Sequence, residues 1–96
     1  MTSSEIIEKL RGEMSAMNKR FGVIEIGLFG SYVRNEAGEN SDVDLLVKLR
    51  EPDFLKLAGL LNYIEKLLQK RIDITTKHPA LSQRFLKKIE KEIIYA

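Results

Sequence analysis

Three aspartates are the residues of this sequence best suited to chemistry, and two of them are close neighbours. Asp42 and Asp44 lie two positions apart at the start of a predicted strand, so that both carboxylates project from one face. Their like charges repel, and a divalent cation bound between them relieves that repulsion. Oxygen ligands of this kind select Mg²⁺ or Mn²⁺, which favour phosphate as a further ligand. Without a metal, the same pair is typical of strand-end acids that cap backbone amides or face water.

The third aspartate, Asp73, interrupts an apolar strand pattern between Ile72 and Ile74. Aspartate is depleted in strands, so this position indicates either a function or an exposed strand edge. If the strand that carries Asp73 lies beside the strand that starts at the acid pair, Asp73 faces Asp42 and Asp44. Three carboxylates around two metal ions favour in-line phosphoryl or nucleotidyl transfer. The third acid can then take the proton from an attacking hydroxyl.

A candidate phosphate-binding turn precedes the acid pair at Gly30-Ser31, between a predicted strand and a predicted short helix. Glycine lets backbone amides approach a phosphate, the helix N-terminus favours anions, and Ser31 adds a hydroxyl. The same pair is also typical of an ordinary turn with a serine N-cap. Arg34 can reach a phosphate or an acceptor, or can form a surface ion pair with Glu36 or Glu39. No Lys-Ser or Lys-Thr follows at the spacing of a Walker motif.

Seven or eight elements must position these residues, in the order α–β–α–β–α–β–α with a short strand at Ile93–Tyr95 as the eighth. The predicted elements are a helix capped by Thr2 and Glu5 and ended at Phe21-Gly22, a strand at Val23–Phe29, a short helix at about Ser31–Asn35, a strand at Val43–Leu49, a helix at Asp53–Gln69, a strand at Arg71–Thr76 and a helix opened by Pro79 and Ser82. In the long helix, the predicted buried stripe is Phe54, Leu57, Ala58, Leu61, Ile64 and Leu68. Helices between strands predict a mixed or parallel sheet, although the first two strands could pair antiparallel.

Length and composition set the class of protein. The chain has 96 residues, 44% hydrophobic and 31% charged, which predicts one domain spanning residues 1–96. It has no cysteine, which excludes a disulfide scaffold and a thiolate metal site. No apolar run approaches the roughly 20 residues of a membrane helix, and the first residues do not resemble a secretory signal. We therefore expect a soluble cytoplasmic protein without a membrane partner.

The charge balance says little about partners by itself. Sixteen basic and fourteen acidic residues give a net charge of +2, so no direct nucleic-acid binding is expected. Basic residues concentrate between positions 66 and 91, where Asp73 and Glu90 are the only acids. Such a run is either a solvated surface or a surface that attracts a polyphosphate or an acidic partner.

The combined motif resembles a known superfamily. Gly30-Ser31, ten intervening residues and Asp42-Val43-Asp44 match the Gly-Ser-x10-Asp-x-Asp signature of the DNA polymerase beta-like nucleotidyltransferases. The local sequence at 27–34 and 41–47 is similar to that of the minimal nucleotidyltransferases, and the resemblance continues through 71–74 and 92–95. It implies the polymerase beta-like α/β (α+β) fold, a small mixed sheet of three or four strands flanked by helices.

The resemblance also implies an activity and a partner. Minimal nucleotidyltransferases are commonly antitoxins that transfer AMP from ATP to a tyrosine of a HEPN ribonuclease toxin, with which a hetero-oligomer is expected. Gly30 and Ser31 would then hold the triphosphate, with Arg34 as a further candidate. Asp42 and Asp44 would bind two Mg²⁺ ions, and Asp73 would be the third metal ligand and the base. Two alternatives stay open: an antitoxin that acts by binding alone, and a nucleotidyltransferase of a small molecule.

Overall fold

The computed structural model describes residues 1–96, which form four strands and four α-helices. The strands are β1 (Val23–Phe29), β2 (Val43–Leu49), β3 (Ile72–Thr76) and β4 (Ile94–Tyr95), and the helices are α1 (Ser3–Gly12), α2 (Met14–Phe21), α3 (Phe54–Leu68) and α4 (Gln83–Glu90). The strands form one sheet in the order β3-β2-β1-β4. β1 is antiparallel to β2 and β4, whereas β2 and β3 are parallel. The predicted mixed sheet is therefore confirmed, and so is the short terminal strand. The first two strands pair antiparallel, which was one of the two predicted arrangements.

The segment after β1 is a series of tight turns, so the predicted short helix at Ser31–Asn35 is wrong. The Arg34 N–H donates to the Gly30 carbonyl, and the Glu36 N–H donates to the Ser31 carbonyl. Gly30 has φ +84 and Asn35 has φ +59, so left-handed residues bound the segment at both ends. One turn between two such residues is too short to propagate as a helix.

The N-terminal helix of the prediction is two helices, α1 and α2, separated at Glu13. Gly12 ends α1, where its low helix propensity favours the break. The predicted start and end are confirmed: Thr2 and Glu5 form a capping box, and Gly22 closes α2 at φ +73. Both helices pack on the sheet through buried apolar side chains.

The predicted buried stripe of α3 is confirmed at Ile64 and Leu68 and wrong at Phe54 and Ala58, which are exposed. The buried residues of α3 are Leu60, Ile64 and Leu68, whereas Phe54 and Leu55 are 81% and 80% exposed. Phe54 is the first residue of α3 and lines an open groove with Leu49 and Pro52, outside the core. None of the four helices combines the length and apolar character needed to cross a bilayer.

The two faces of β2 differ, as the alternation predicts. Val43, Leu45 and Val47 are fully buried in the main core beneath α1, α2 and α3. Leu46 points to the other face, where it packs with Leu86 and Ile89 beside α4. Because residues two apart share a face, Asp44 lies on the same side of the sheet as α4. The candidate site is therefore between the sheet and α4.

Candidate functional site

Asp44 and Asp73 are register partners on the neighbouring parallel strands β2 and β3. Adjacent strands are about 4.8 Å apart, so two carboxylates in register on one face are close neighbours. Asp44 is also paired with Phe29, the last residue of β1. The condition set by the sequence, that Asp73 and Asp44 lie on adjacent strands, is thus met.

The Asp44 carboxyl is in an unfavourable place for a negative charge. Burial raises the pKa of Asp44, and the carboxylates of Asp73 and Asp42 raise it further, while the Arg34 charge lowers it. A divalent cation would remove both penalties, since it solvates the carboxylate and neutralises its neighbours.

Asp42, the other predicted metal ligand, lies just before β2 and turns towards a different partner. Its carboxylate is 48% exposed and forms an ion pair with Arg71, 3.1 Å from Oδ1 to Nε. No three His, Cys, Asp or Glu side chains converge closely enough to form a ready-made metal site. The donor set nevertheless fits Mg²⁺ or Mn²⁺, because all three candidates supply carboxylate oxygens.

Gly30 closes the site next to Asp44. A Cβ atom on Gly30 would lie 2.3 Å from the Asp44 Oδ2, and the backbone there has φ +84. Only glycine permits both the conformation and the approach. The next residue, Ser31, is partly buried, and its side chain does not line the cleft beside Asp44.

Glu92 is a member of the site that residue types and spacing did not identify. Its carboxylate accepts a hydrogen bond from the Gly30 N–H, and both of its oxygens lie 3.1 Å from Arg34 Nη1. Arg34 also forms the predicted ion pair with Glu36, 3.1 Å from Nε to Oε1. The signal available in the sequence was an acid directly before the last apolar residues, but nothing in it linked Glu92 to Gly30.

These residues line a cleft of ≈ 320 Å³ between the sheet and α4. Its lining residues are Phe29, Gly30, Arg34, Asp44, Asp73, Thr75, Phe85, Lys88, Ile89 and Glu92. The rings of Phe29 and Phe85 meet edge to face, with centroids 5.8 Å apart, and Lys88 adds a second cation. Apolar rings beside convergent charged groups suit a nucleotide. A groove of the same volume beside Phe54 and His78 contains no pair of facing carboxylates.

Comparison with known proteins agrees with this geometry. Residues 7–96 match the family described as nucleotidyltransferase domain. The chain is 44% identical over 96 residues to protein adenylyltransferase MntA of Thermococcus cleftensis, covering 99% of this chain and 96% of that protein. A solved structure of a chain described as a minimal nucleotidyltransferase is 36% identical, with a TM-score of 0.72 over 92% of this chain and 93% of that one.

A more distant likeness concerns the fold alone. A chain from the Shewanella oneidensis complex of a tri-AMPylated HEPN toxin with an MNT antitoxin is 19% identical, with a TM-score of 0.57 over 96% of this chain and 66% of that one. The family match and the close relatives together agree with the resemblance found in the motif at Gly30–Asp44. The chain therefore belongs to the nucleotidyltransferase domain family, and it is a nucleotidyltransferase of the minimal kind.

Proposed function

We propose that this chain is an ATP-dependent protein adenylyltransferase and an antitoxin, which transfers AMP to a tyrosine hydroxyl of a partner HEPN ribonuclease and so neutralises it. The observation that supports this most is the register of Asp44 with Asp73 in a cleft closed by Gly30. The 44% identical relative is named as a protein adenylyltransferase, and the toxin in the Shewanella oneidensis complex is tri-AMPylated.

Gly30, Ser31 and Arg34 bind the triphosphate in this proposal. The Gly30 N–H points into the cleft, and its present partner is a carboxylate, which is an anion like a phosphate oxygen. The Arg34 guanidinium also faces that carboxylate and matches the geometry of phosphate oxygens. Ser31 follows in the turn, and its side chain, which does not line the cleft at present, would have to turn towards the triphosphate to donate its hydroxyl.

Asp42, Asp44 and Asp73 hold two Mg²⁺ or Mn²⁺ ions. When bound, these ions supply the positive charge that stabilises the attacking and leaving oxygens of an in-line displacement. Asp73 is exposed and takes the proton from the incoming hydroxyl. The acceptor oxygen bonds to the α-phosphorus, the bond from that phosphorus to the bridging oxygen breaks, and pyrophosphate leaves.

The acceptor is a protein because the cleft offers little surface for a second small substrate. Its lining consists of the carboxylates, the Gly30 turn with Arg34, one face of α4, and Phe29 and Thr75 of the sheet. A protein acceptor brings its own folded surface to the open side of the cleft. We take residues 1–96 as one nucleotidyltransferase domain, built on a single sheet, that forms a hetero-oligomer with the toxin.

Whether the toxin is neutralised by a catalytically impaired variant distinguishes a catalytic antitoxin from one that acts by binding alone. The ribonuclease activity of a candidate HEPN partner would be measured after incubation with ATP, Mg²⁺ and either the wild type or Asp44→Asn. Formation of the complex would be followed by size-exclusion chromatography. We expect the wild type to silence the ribonuclease and Asp44→Asn to bind it without silencing it. Equal silencing by both proteins would favour an antitoxin that acts by binding alone.

A further inference from the structure

The Glu92 carboxylate occupies the donors that a phosphate would use. It accepts the Gly30 N–H hydrogen bond, and both of its oxygens lie 3.1 Å from Arg34 Nη1. A backbone N–H at a glycine turn and a guanidinium are the standard protein ligands of phosphate oxygens. Glu92 is 23% exposed and Arg34 is 46% exposed, so the carboxylate is the more enclosed member of the pair.

The backbone of Glu92 is fixed on both sides, so that only its side chain is free to leave. On one side, the Glu92 N–H donates to the Ile89 carbonyl at 3.0 Å, which ties it to the end of α4. On the other side, Ile94 pairs with Leu28 in the β4–β1 ladder. A glutamate side chain has three rotatable bonds and can swing out while these contacts persist.

A phosphate and the Glu92 carboxylate cannot share these donors. The Asp44 Oδ2 also lies close to Gly30, at 2.3 Å from where a Cβ would be. A phosphate on the Gly30 N–H would therefore have two carboxylates near it if Glu92 stayed. Two like charges at such distances repel strongly in a partly buried site.

We propose that Glu92 is a built-in competitor of the triphosphate: its carboxylate holds the Gly30 N–H and Arg34 until ATP displaces it, and it thereby sets the affinity of the site for nucleotide. This inference rests on the proposed function, in which Gly30 and Arg34 are ligands of the triphosphate. Glu92 is in this account a residue that tunes binding, and it takes no part in the transfer itself.

The test measures binding and does not depend on catalysis. Dissociation constants for inorganic tripolyphosphate in chelator, and for ATP with Mg²⁺, would be measured by calorimetry for the wild type, Glu92→Gln and Glu36→Gln. The amide in Glu92→Gln is isosteric but uncharged, so we expect both ligands to bind roughly three- to tenfold tighter. Glu36→Gln is the matched control, because Glu36 also pairs with Arg34 but does not contact Gly30. It should change either constant by less than about twofold.

The outcomes distinguish this inference from the proposed function. If the wild type binds ATP and Glu92→Gln binds it equally or more weakly, Glu92 is not a competitor, and the inference is overturned while the proposed function stands. If the wild type binds neither ligand, both are overturned. Should Glu92→Gln fail to fold, Glu92→Asp replaces it: the shorter side chain withdraws from the Gly30 N–H, and tighter binding of tripolyphosphate is again the supporting result.

Discussion

Gly30 approaches Asp44 so closely that a Cβ on the glycine would lie 2.3 Å from the Asp44 Oδ2. The turn after β1 and the first residues of β2 are thereby held close together, although thirteen residues separate Gly30 from Asp44 along the chain. The close contact places a backbone N–H and a carboxylate side by side at one end of the cleft.

Gly30→Ala should abolish nucleotide transfer and destabilise the fold. Alanine is disfavoured at φ +84, and its methyl group would displace the Asp44 carboxylate. We expect a loss of about 1–3 kcal/mol in the free energy of unfolding, measured by denaturant titration. Gly38→Ala is the matched control, because a Cβ at Gly38 meets nothing within 4 Å. Wild-type activity in Gly30→Ala would contradict the role of this contact.

Asp44→Asn should lower the rate of nucleotide transfer by about a hundredfold or more, because it removes charge from the central carboxylate of the site. Glu39→Gln provides a control, since it removes one exposed acid from the loop before β2. The rates of the three proteins would be compared at saturating ATP and Mg²⁺. Activity of Asp44→Asn within a few-fold of the wild type would exclude Asp44 as a metal ligand.

The same substitution should stabilise the protein in chelator at neutral pH. The pKa of Asp44 is raised above its ordinary value of 3.8, so the folded state binds a proton more tightly than the unfolded state. Ionisation of Asp44 therefore costs the wild type stability as the pH rises from 3.8 through the higher folded pKa, and Asp44→Asn avoids that cost. Thermal unfolding at several pH values would show the variant gaining over the wild type only above this range. A variant that is less stable at neutral pH would contradict the sign of the shift.

Arg71→Gln should lower the Mg²⁺ concentration that gives half-maximal activity, by about two- to fivefold. The change releases Asp42 from its ion pair and removes a cation that competes with the metal. Lys77→Gln is the control, since it removes an equal charge and an ion pair with Glu25 away from the cleft. If Arg71→Gln instead raised the Mg²⁺ requirement, Asp42 would depend on Arg71 for its position.

The proximity of Asp44 to Asp73 could be predicted from the sequence because strand alternation is a local pattern. Asp44 lies on the polar face of one predicted strand, and Asp73 lies on the polar face of another. The two residues come together once those strands are neighbours in the sheet. Glu92 could not be predicted in this way. It lies 62 residues from Gly30, and only the pairing of β4 with β1 brings the two together.

Some local predictions were wrong, in whole or in part, for reasons of backbone and packing. At Ser31–Asn35 the residue types allow a helix, but the left-handed residues Gly30 and Asn35 confine the segment to turns. In α3 the repeat of apolar residues at three and four positions correctly predicts the burial of Ile64 and Leu68 but misses Leu60, which is also buried. It also includes Phe54, which is exposed in the first turn.

The most direct test of the proposed function is transfer of label from ATP to a candidate HEPN partner protein. ATP labelled at the α-phosphate or at the γ-phosphate would be incubated with both proteins and Mg²⁺, with Asp44→Asn as the control. We expect α label to appear on the HEPN protein, and we expect none with γ label or with the variant. Label from the γ-phosphate alone, or no label on a HEPN protein that is nevertheless silenced, would contradict the proposed function.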